Sequence, residues 1–326
     1  MKRLALSLLL PLTLLACARG PGYDGVRTPL WALDGDAIAL ARRHRSRLMP
    51  SGPERFDLYL ADAWGLDPDR MLKRIDTAGM RAAALSPDGR TMACAVGRGV
   101  QKDLVLVDLR TGDRQRLLED EVIDASTICW DAAGRRLALT LGDPPMVGVV
   151  DIWTRELERS PSSAPRVLGW VGRDRLALAS DREIFLWSPG LGAPPAWLHG
   201  VEEGTEIHSA AADDTGRRLA VLTVTPPIAG SHLTIIDLLS GRARTIWESP
   251  QPLVGLRWVP GGQSLLVSRL GRTRGSGWEL HRIAMSDGRH EAVAEHRAGC
   301  DVSPDGTRLV VSTGQSLLTM PLPGRE

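Results

Sequence analysis

The chain of 326 residues is short of the features that usually declare a function. It has two Tyr, two Phe and four Cys. It has almost no net charge, with 40 basic against 39 acidic residues. Removing Lys2 and Arg3 with the amino-terminal segment leaves 38 against 39, so no general attraction for nucleic acid is built in. Its one long apolar run, Leu4 to Ala16, is too short to serve as a stable membrane span. Beyond residue 16 there is no sustained helical period. There is no Cys-x-x-Cys pair and no Gly-rich phosphate loop, so neither a metal nor a cofactor is expected. Cys94, Cys129 and Cys300 all fall in apolar segments, where buried free thiols are expected. Three thiols allow at most one disulfide, and Cys94–Cys129 is the pairing to weigh.

What the chain does have is a repeated phrase. An apolar strand is followed by a tight turn, a second apolar strand, a third ending in an Asp-Leu-like pair, a Gly turn and a fourth strand. The fullest copy runs from Ala82 through Ser86-Pro87-Asp88-Gly89 to Leu104-Val105-Leu106-Val107-Asp108-Leu109 and Gly112. In the turn, Pro presets φ, Asp bonds its own backbone, and Gly accepts positive φ. Turn glycines read at Gly35, Gly89, Gly134, Gly172, Gly216, Gly261 and Gly306 give steps of 54, 45, 38, 44, 45 and 45. Seven units of four strands predict an all-β fold, a seven-bladed propeller of four-stranded antiparallel blades. The seventh unit ends after its third strand. The segment Gly20 to Arg27 is available to supply the fourth and so close the last blade.

Ser86-Pro87-Asp88-Gly89 and Ser303-Pro304-Asp305-Gly306, each followed by an apolar strand and an Asp-Leu…Gly segment, resemble the TolB-type, WD-like propeller repeats of bacterial envelope proteins. The resemblance covers residues 29 to 322. It extends to the propeller and not to the amino-terminal domain of TolB, for which the segment after Cys17 has no room. It implies a fold rather than an activity. Lys2 and Arg3, the apolar stretch and Leu14-Leu15-Ala16-Cys17 resemble a bacterial lipoprotein signal. This implies a signal at 1–16, acylation of Cys17, a tether at 17–28 and the propeller at 29–326. Ala18, standing where Asp commonly retains lipoproteins at the inner membrane, points to the periplasmic face of the outer membrane.

Candidate chemistry is sparse. His290 and His296 bracket Glu291 and Glu295, but the zinc-protease pattern needs its second His four residues on, where Ala294 stands. In a strand the pair would point the same way, about 20 Å apart at ~3.3 Å per residue. Gly275-Ser276-Gly277 lacks the strand–turn–helix setting of a nucleophile elbow. Most Asp sit at turns. Of the ten Trp, Trp31, Trp130, Trp170 and Trp258 recur on first strands, and Trp153, Trp187 and Trp278 on third strands. That recurrence predicts packing between blades and leaves Trp64 and Trp197 as the ligand candidates. The units differ most in the segments between second and third strands. Unit one carries Arg42, Arg43, His44, Arg45 and Arg47, unit two Arg98 and Lys102, and unit six Arg269, Arg272 and Arg274. In a closed ring these units are neighbours, and a basic crescent on one face is expected to bind an envelope protein or an anionic envelope component. The expected role is a non-catalytic binding or scaffolding module. The alternatives are a lyase or hydrolase working in the central channel, or a structural subunit of an envelope complex. The first strands read as mainly apolar, against the channel enzyme.

Overall fold

The computed structural model describes residues 26–31, 37–44, 55–62, 71–75, 80–97, 100–161, 166–225, 230–271, 277–296, 299–312 and 317–322, with side chains from Ala84 onward except 125–127 and 317. Among the described residues there is no helix. The first sheet is β1 (Val26–Trp31), β2 (Ala37–His44), β3 (Arg55–Asp62) and β4 (Met71–Ile75). The second joins two units: β5 (Met80–Leu85), β6 (Thr91–Val96), β7 (Gln101–Asp108), β8 (Arg114–Trp130), β9 (Arg136–Leu141), β10 (Met146–Asp151) and β11 (Leu157–Arg159). Next come β12 (Arg166–Val171), β13 (Arg175–Ala179), β14 (Glu183–Trp187) and β15 (Ala196–Gly200). The fifth unit is β16 (Glu206–Ala212), β17 (Arg218–Val224), β18 (Ser231–Asp237) and β19 (Ala243–Ser249). The sixth is β20 (Leu253–Trp258), β21 (Ser264–Leu270), β22 (Trp278–Ala284) and β23 (His290–His296). The last sheet has β24 (Cys300–Val302), β25 (Arg308–Ser312) and β26 (Leu317–Pro321).

Every sheet is an antiparallel meander, and the whole is a β-propeller whose six sheets carry repeats consistent with seven blades. The seven-stranded sheet is two blades in one. The first half of β8 pairs with β7 and its second half with β9, so no break separates the fourth strand of one blade from the first of the next. In the last sheet β26 pairs only with β25 among the described residues. β1 pairs with β2 and packs against β24 and β25, next to the seventh blade. The proposed closing segment lies, up to residue 25, outside the described residues.

First strands pack on first strands: β8 on β12, β12 on β16, β16 on β20 and β1 on β24. They form the inner ring. Second strands are buried along most of their length, as in Leu137 to Leu141 of β9. Fourth strands such as β15 and β19 are largely exposed and form the rim. Second strands read as unbroken apolar runs because they are buried on both faces. Leu176 and Leu178 pack with Val147, Val149 and Trp187 toward the third blade. Ala177 and Ala179 pack with Ile207, Leu219 and Val221 toward the fifth. Each fully buried aliphatic side chain of this kind stabilises by about 1.5–3 kcal/mol.

The meander gives the disc two faces. Turns between first and second strands, and between third and fourth, lie on one side, here the turn face. The second-to-third loops and the links between blades lie on the other, the loop face. On the turn face, the amide of the turn glycine donates to the carbonyl three residues back at Gly89, Gly134, Gly216, Gly262 and Gly306. The sixth unit therefore uses Gly262 and not Gly261, which shifts that repeat by one residue. Neighbouring turns nearly touch: a Cβ on Gly216 would stand 2.8 Å from the Cα of Gly172.

Two recurrent side-chain devices tie blade to blade. The indole N–H groups of Trp130, Trp170 and Trp258 donate to Ala84, Cys129 and Ala211 on the preceding first strand, at 2.9, 3.2 and 2.9 Å. An Arg opening the second strand reaches the next blade's turn, from Arg136 to the Arg173 carbonyl at 2.7 Å and from Arg218 to that of Gly262 at 2.7 Å. The guanidinium groups of Arg136 and Arg218 also lie over Trp170 and Trp258.

Candidate functional site

The inner strands begin on the loop face. Arg166 opens β12, and its guanidinium donates to the carbonyl of Ile207 on β16. Burial lowers its pKa, while Asp124, Glu206 and Asp181 oppose that shift through their charge. Asp124 is on β8, Glu206 on β16, and Asp181 in the loop after β13. His208 is held below its usual pKa by burial and then by the charge of Arg166, so it is neutral at pH 7. Three carboxylates from three blades thus act through their charge on one half-buried cation at the start of an inner strand. Further round the inner ring, Arg257 of β20 lies 3.7 Å from Asp301 of β24. The inner strands are mainly apolar, as expected, but they are not free of charge. Their charges are spread one or two to a strand and escape any motif, though Arg166, Glu206 and His208 at strand starts are visible once register is known.

The described members of the expected basic crescent lie in strands and not in loops. Arg42, Arg43 and His44 are not in a loop. They end β2 and pair with Asp57, Phe56 and Arg55. Lys102 is in β7 and donates to the carbonyls of Ile123 and Val100, at 2.8 and 3.1 Å. Arg269 is in β21, only 17% exposed, and is ion-paired with Glu279. Arg45, Arg47, Arg98, Arg272, Arg274 and Cys17 lie outside the described residues.

Blade six holds two polar clusters. Glu279 sits between Arg269 and His281, whose Nε2 is 3.3 Å away. The Arg269 bond, then burial working against it, then His281 set the balance that keeps the Glu279 pKa low. His281 Nδ1 and Arg269 Nε are buried without a hydrogen-bond partner. Trp247 stacks on His290 at 4.5 Å and lies 5.1 Å from His281. On the other side of the blade, His296 Nδ1 accepts from the Gly299 amide at 3.2 Å, which leaves Nε2–H to donate to Ser268 Oγ at 2.7 Å. That tautomer cannot take a proton from Ser268, so this Ser–His contact is not a nucleophile–base pair. Burial pushes His296 down to about 4.

The same blade corrects the His290–His296 expectation. The pairing slips by one residue between Leu280 and His281, where Ala294 and Ala292 are their partners and Val293 is the extra residue. This bulge reverses the alternation. His290 faces blade five and is exposed, whereas His296 faces blade seven and is buried. Among the described residues no three His, Cys, Asp or Glu side chains gather as a metal site.

Tryptophan placement is confirmed in the core by Trp130, Trp170, Trp187 and Trp258. Trp153 differs: it lies in the turn after β10, 79% exposed, and packs between no blades. Trp197 is 62% exposed on the rim strand β15. Trp64 lies outside the described residues. Cys94, Cys129 and Cys300 are free thiols, so the Cys94–Cys129 bridge is absent.

No family model matches the chain, and no curated protein matches it. Solved structures do. An oligogalacturonate lyase in complex with manganese is 15% identical, with TM-score 0.65 over 92% of this chain and 90% of that one. The propeller domain of the trilobed protease from Pyrococcus furiosus is 15% identical, with TM-score 0.64 over 91% and 95%. TolB from Acinetobacter baumannii is 17% identical, with TM-score 0.55 over 82% of this chain and 63% of that one. At such identities the likeness is one of fold: this chain is a β-propeller.

Proposed function

We propose that the chain is a lipid-anchored binding propeller of the bacterial envelope, attached through an acylated Cys17 and recognising an envelope protein or anionic component across its loop face. The observation that carries this reading is the group of opposite charges at the loop end of the inner strands β8, β12 and β16. Asp124, Glu206 and Asp181 act on Arg166 there through their charge. The arginine-bearing segments of units one, two and six border the same face in sequence. A rigid barrel of blades presenting charged loops of unequal length is the usual division between scaffold and site. A partner carrying both signs of charge fits such a face.

A second reading, a channel enzyme, draws on Arg166, Glu206 and His208 on inner strands and on the full-length likeness to the lyase. The two part on one experiment. A photo-crosslinker at Asp181 in cells, followed by mass spectrometry of the adduct, is expected to capture one envelope protein, and capture is expected to weaken in Arg166→Met. Turnover of an acidic oligosaccharide by the purified chain, abolished in the same variant, overturns the binding reading.

A further inference from the structure

The three most exposed large hydrophobic residues among those described are Leu239, Trp153 and Leu191, at 84, 79 and 74%. All three sit in third-to-fourth-strand turns, on blades five, three and four. They therefore crown three consecutive blades on the turn face. Single exposed hydrophobics are ordinary, but here the local structure holds two of them, Trp153 and Leu239, out. Asp151 Oδ1 accepts from the amides of Trp153 and Thr154, at 2.9 and 3.1 Å. Asp237 Oδ1 accepts from Leu239 and Ser240, at 3.1 and 2.9 Å. The turn pins the backbone and leaves the third residue pointing outward. At the same position blade two has Arg110, whose amide bonds Asp108 in the same way at 2.8 Å.

These tips stand on three different turns, one to a blade. A protein pocket would have to match each tip, whereas the interfacial layer of a bilayer accepts them independently and favours Trp. Exposed Arg155 and Arg242 stand within three residues of Trp153 and Leu239, well placed for lipid phosphates.

The tether agrees in length. Nine residue steps separate Cys17 from Val26, a reach of roughly 31 Å at ~3.4 Å per residue. β1 begins at the loop end of the inner ring. Blade strands of six to eight residues span roughly 20–26 Å, so the tether is long enough to pass the disc and deliver Cys17 to the turn face. The edge of β26 that has no partner among the described residues lies on that path.

We propose that the turn face is a membrane-contact surface: the tips Trp153, Leu191 and Leu239 seat in the lipid headgroup layer, and the loop face points away from the bilayer toward its partner. This orientation rests on the reading that Cys17 is acylated, while the affinity of the tips for lipid does not. The test therefore has two arms. In the first, the chain without its signal and carrying Cys17→Ser is sedimented with vesicles of phosphatidylethanolamine and phosphatidylglycerol. Weak binding is expected, reduced about tenfold in Trp153→Ser/Leu239→Ser, since interfacial binding scales with buried apolar area. Unchanged thermal unfolding checks the fold of the variant. Equal binding of parent and variant, or none by either, overturns the contact surface. In the second arm, the acylated chain in proteoliposomes carries Ser240→Cys on the turn face or Glu203→Cys on the loop face. A membrane-impermeant maleimide is expected to label Glu203→Cys at least about tenfold faster, and both equally in detergent. The native thiols give little background, because burial pushes Cys94, Cys129 and Cys300 up to about 12. Equal labelling in vesicles overturns the orientation. The intact mass of the same preparation reports Cys17 acylation, so failure of the anchor is seen separately.

Discussion

Replacing Arg218 by Met should destabilise the propeller far more than replacing its neighbour Arg217. Arg218 Nε donates to Asp213 Oδ2 at 2.8 Å, and its Nη2 reaches the Gly262 carbonyl of the next blade at 2.7 Å. The Asp213 side chain is fully buried and that of Arg218 is 27% exposed. Burial works against the Asp213 charge. The Arg218 amide and guanidinium, the Thr215 hydroxyl and the Arg217 amide together outweigh it and hold its pKa below the ordinary range. Stripping one partner from a buried ion pair costs roughly 3–5 kcal/mol. Two backbone amides and the hydroxyl still serve Asp213 in the variant, and the Met stem still packs on Trp258, so about 2–3 kcal/mol is expected. Arg217 is 67% exposed in its pair with Asp237, and its loss should cost below about 1 kcal/mol. Urea unfolding followed by Trp fluorescence measures both. A cycle with Asp213→Asn should return a coupling of at least about 1 kcal/mol. If Arg218→Met costs no more than Arg217→Met, the staple between blades does not bear the stability assigned to it.

Gly216→Ala and Gly241→Ala form a second comparison. Both glycines have φ near +65 to +69°, but only a Cβ on Gly216 meets backbone, with Gly172 at 2.8 Å. Each should lose about 1–2 kcal/mol from left-handed strain, and Gly216→Ala clearly more; equal thermal shifts would show that adjacent turns are not in contact. A third prediction concerns pH. His296 titrates at about 4 in the fold and near 6.5 when unfolded. Below pH 6.5 the unfolded chain takes up the proton that the fold refuses, so stability falls as pH drops, by about 2 kcal/mol between pH 7.5 and 5. His281, His208 and His199 are shifted down too and act with the same sign. His296→Asn should flatten this slope in urea unfolding, and an unchanged slope refutes the assignment. Fourth, with thiols near 12, about one part in 10⁴ is thiolate at pH 8. The Cys17→Ser chain should react negligibly with a disulfide reagent until denaturant releases three thiols; rapid reaction of the folded chain would contradict their burial.

The repeat was legible because its physics is local. Turns such as Ser303-Pro304-Asp305-Gly306 and the apolar second strands carry their own signals, and both stand where the phrase put them. Trp130, Trp170 and Trp258 were legible as structural for the same reason. The misreadings came from non-local facts. Nothing in His290 to His296 shows a bulge, since pairing with β22 creates it. Trp153 shares the position of Leu239 in a turn rather than that of a strand residue, and the Asp at the strand end was the available clue. Arg42 to His44 looked like a loop because composition says nothing of how far a strand continues. Arg269 looked free because its partner, Glu279, stands ten residues on and across a strand pair. The inner charges Arg166, Glu206 and His208 meet only when two blades are brought together, and no spacing in one blade encodes that.

The central claim is that one face meets lipid and the other a partner. Photo-crosslinkers placed at Glu203 and at Ser240 in the acylated chain, in intact cells, test it directly. The account predicts a discrete envelope protein captured from Glu203 and lipid adducts from Ser240. The same protein captured from both positions, or lipid from Glu203, would contradict it.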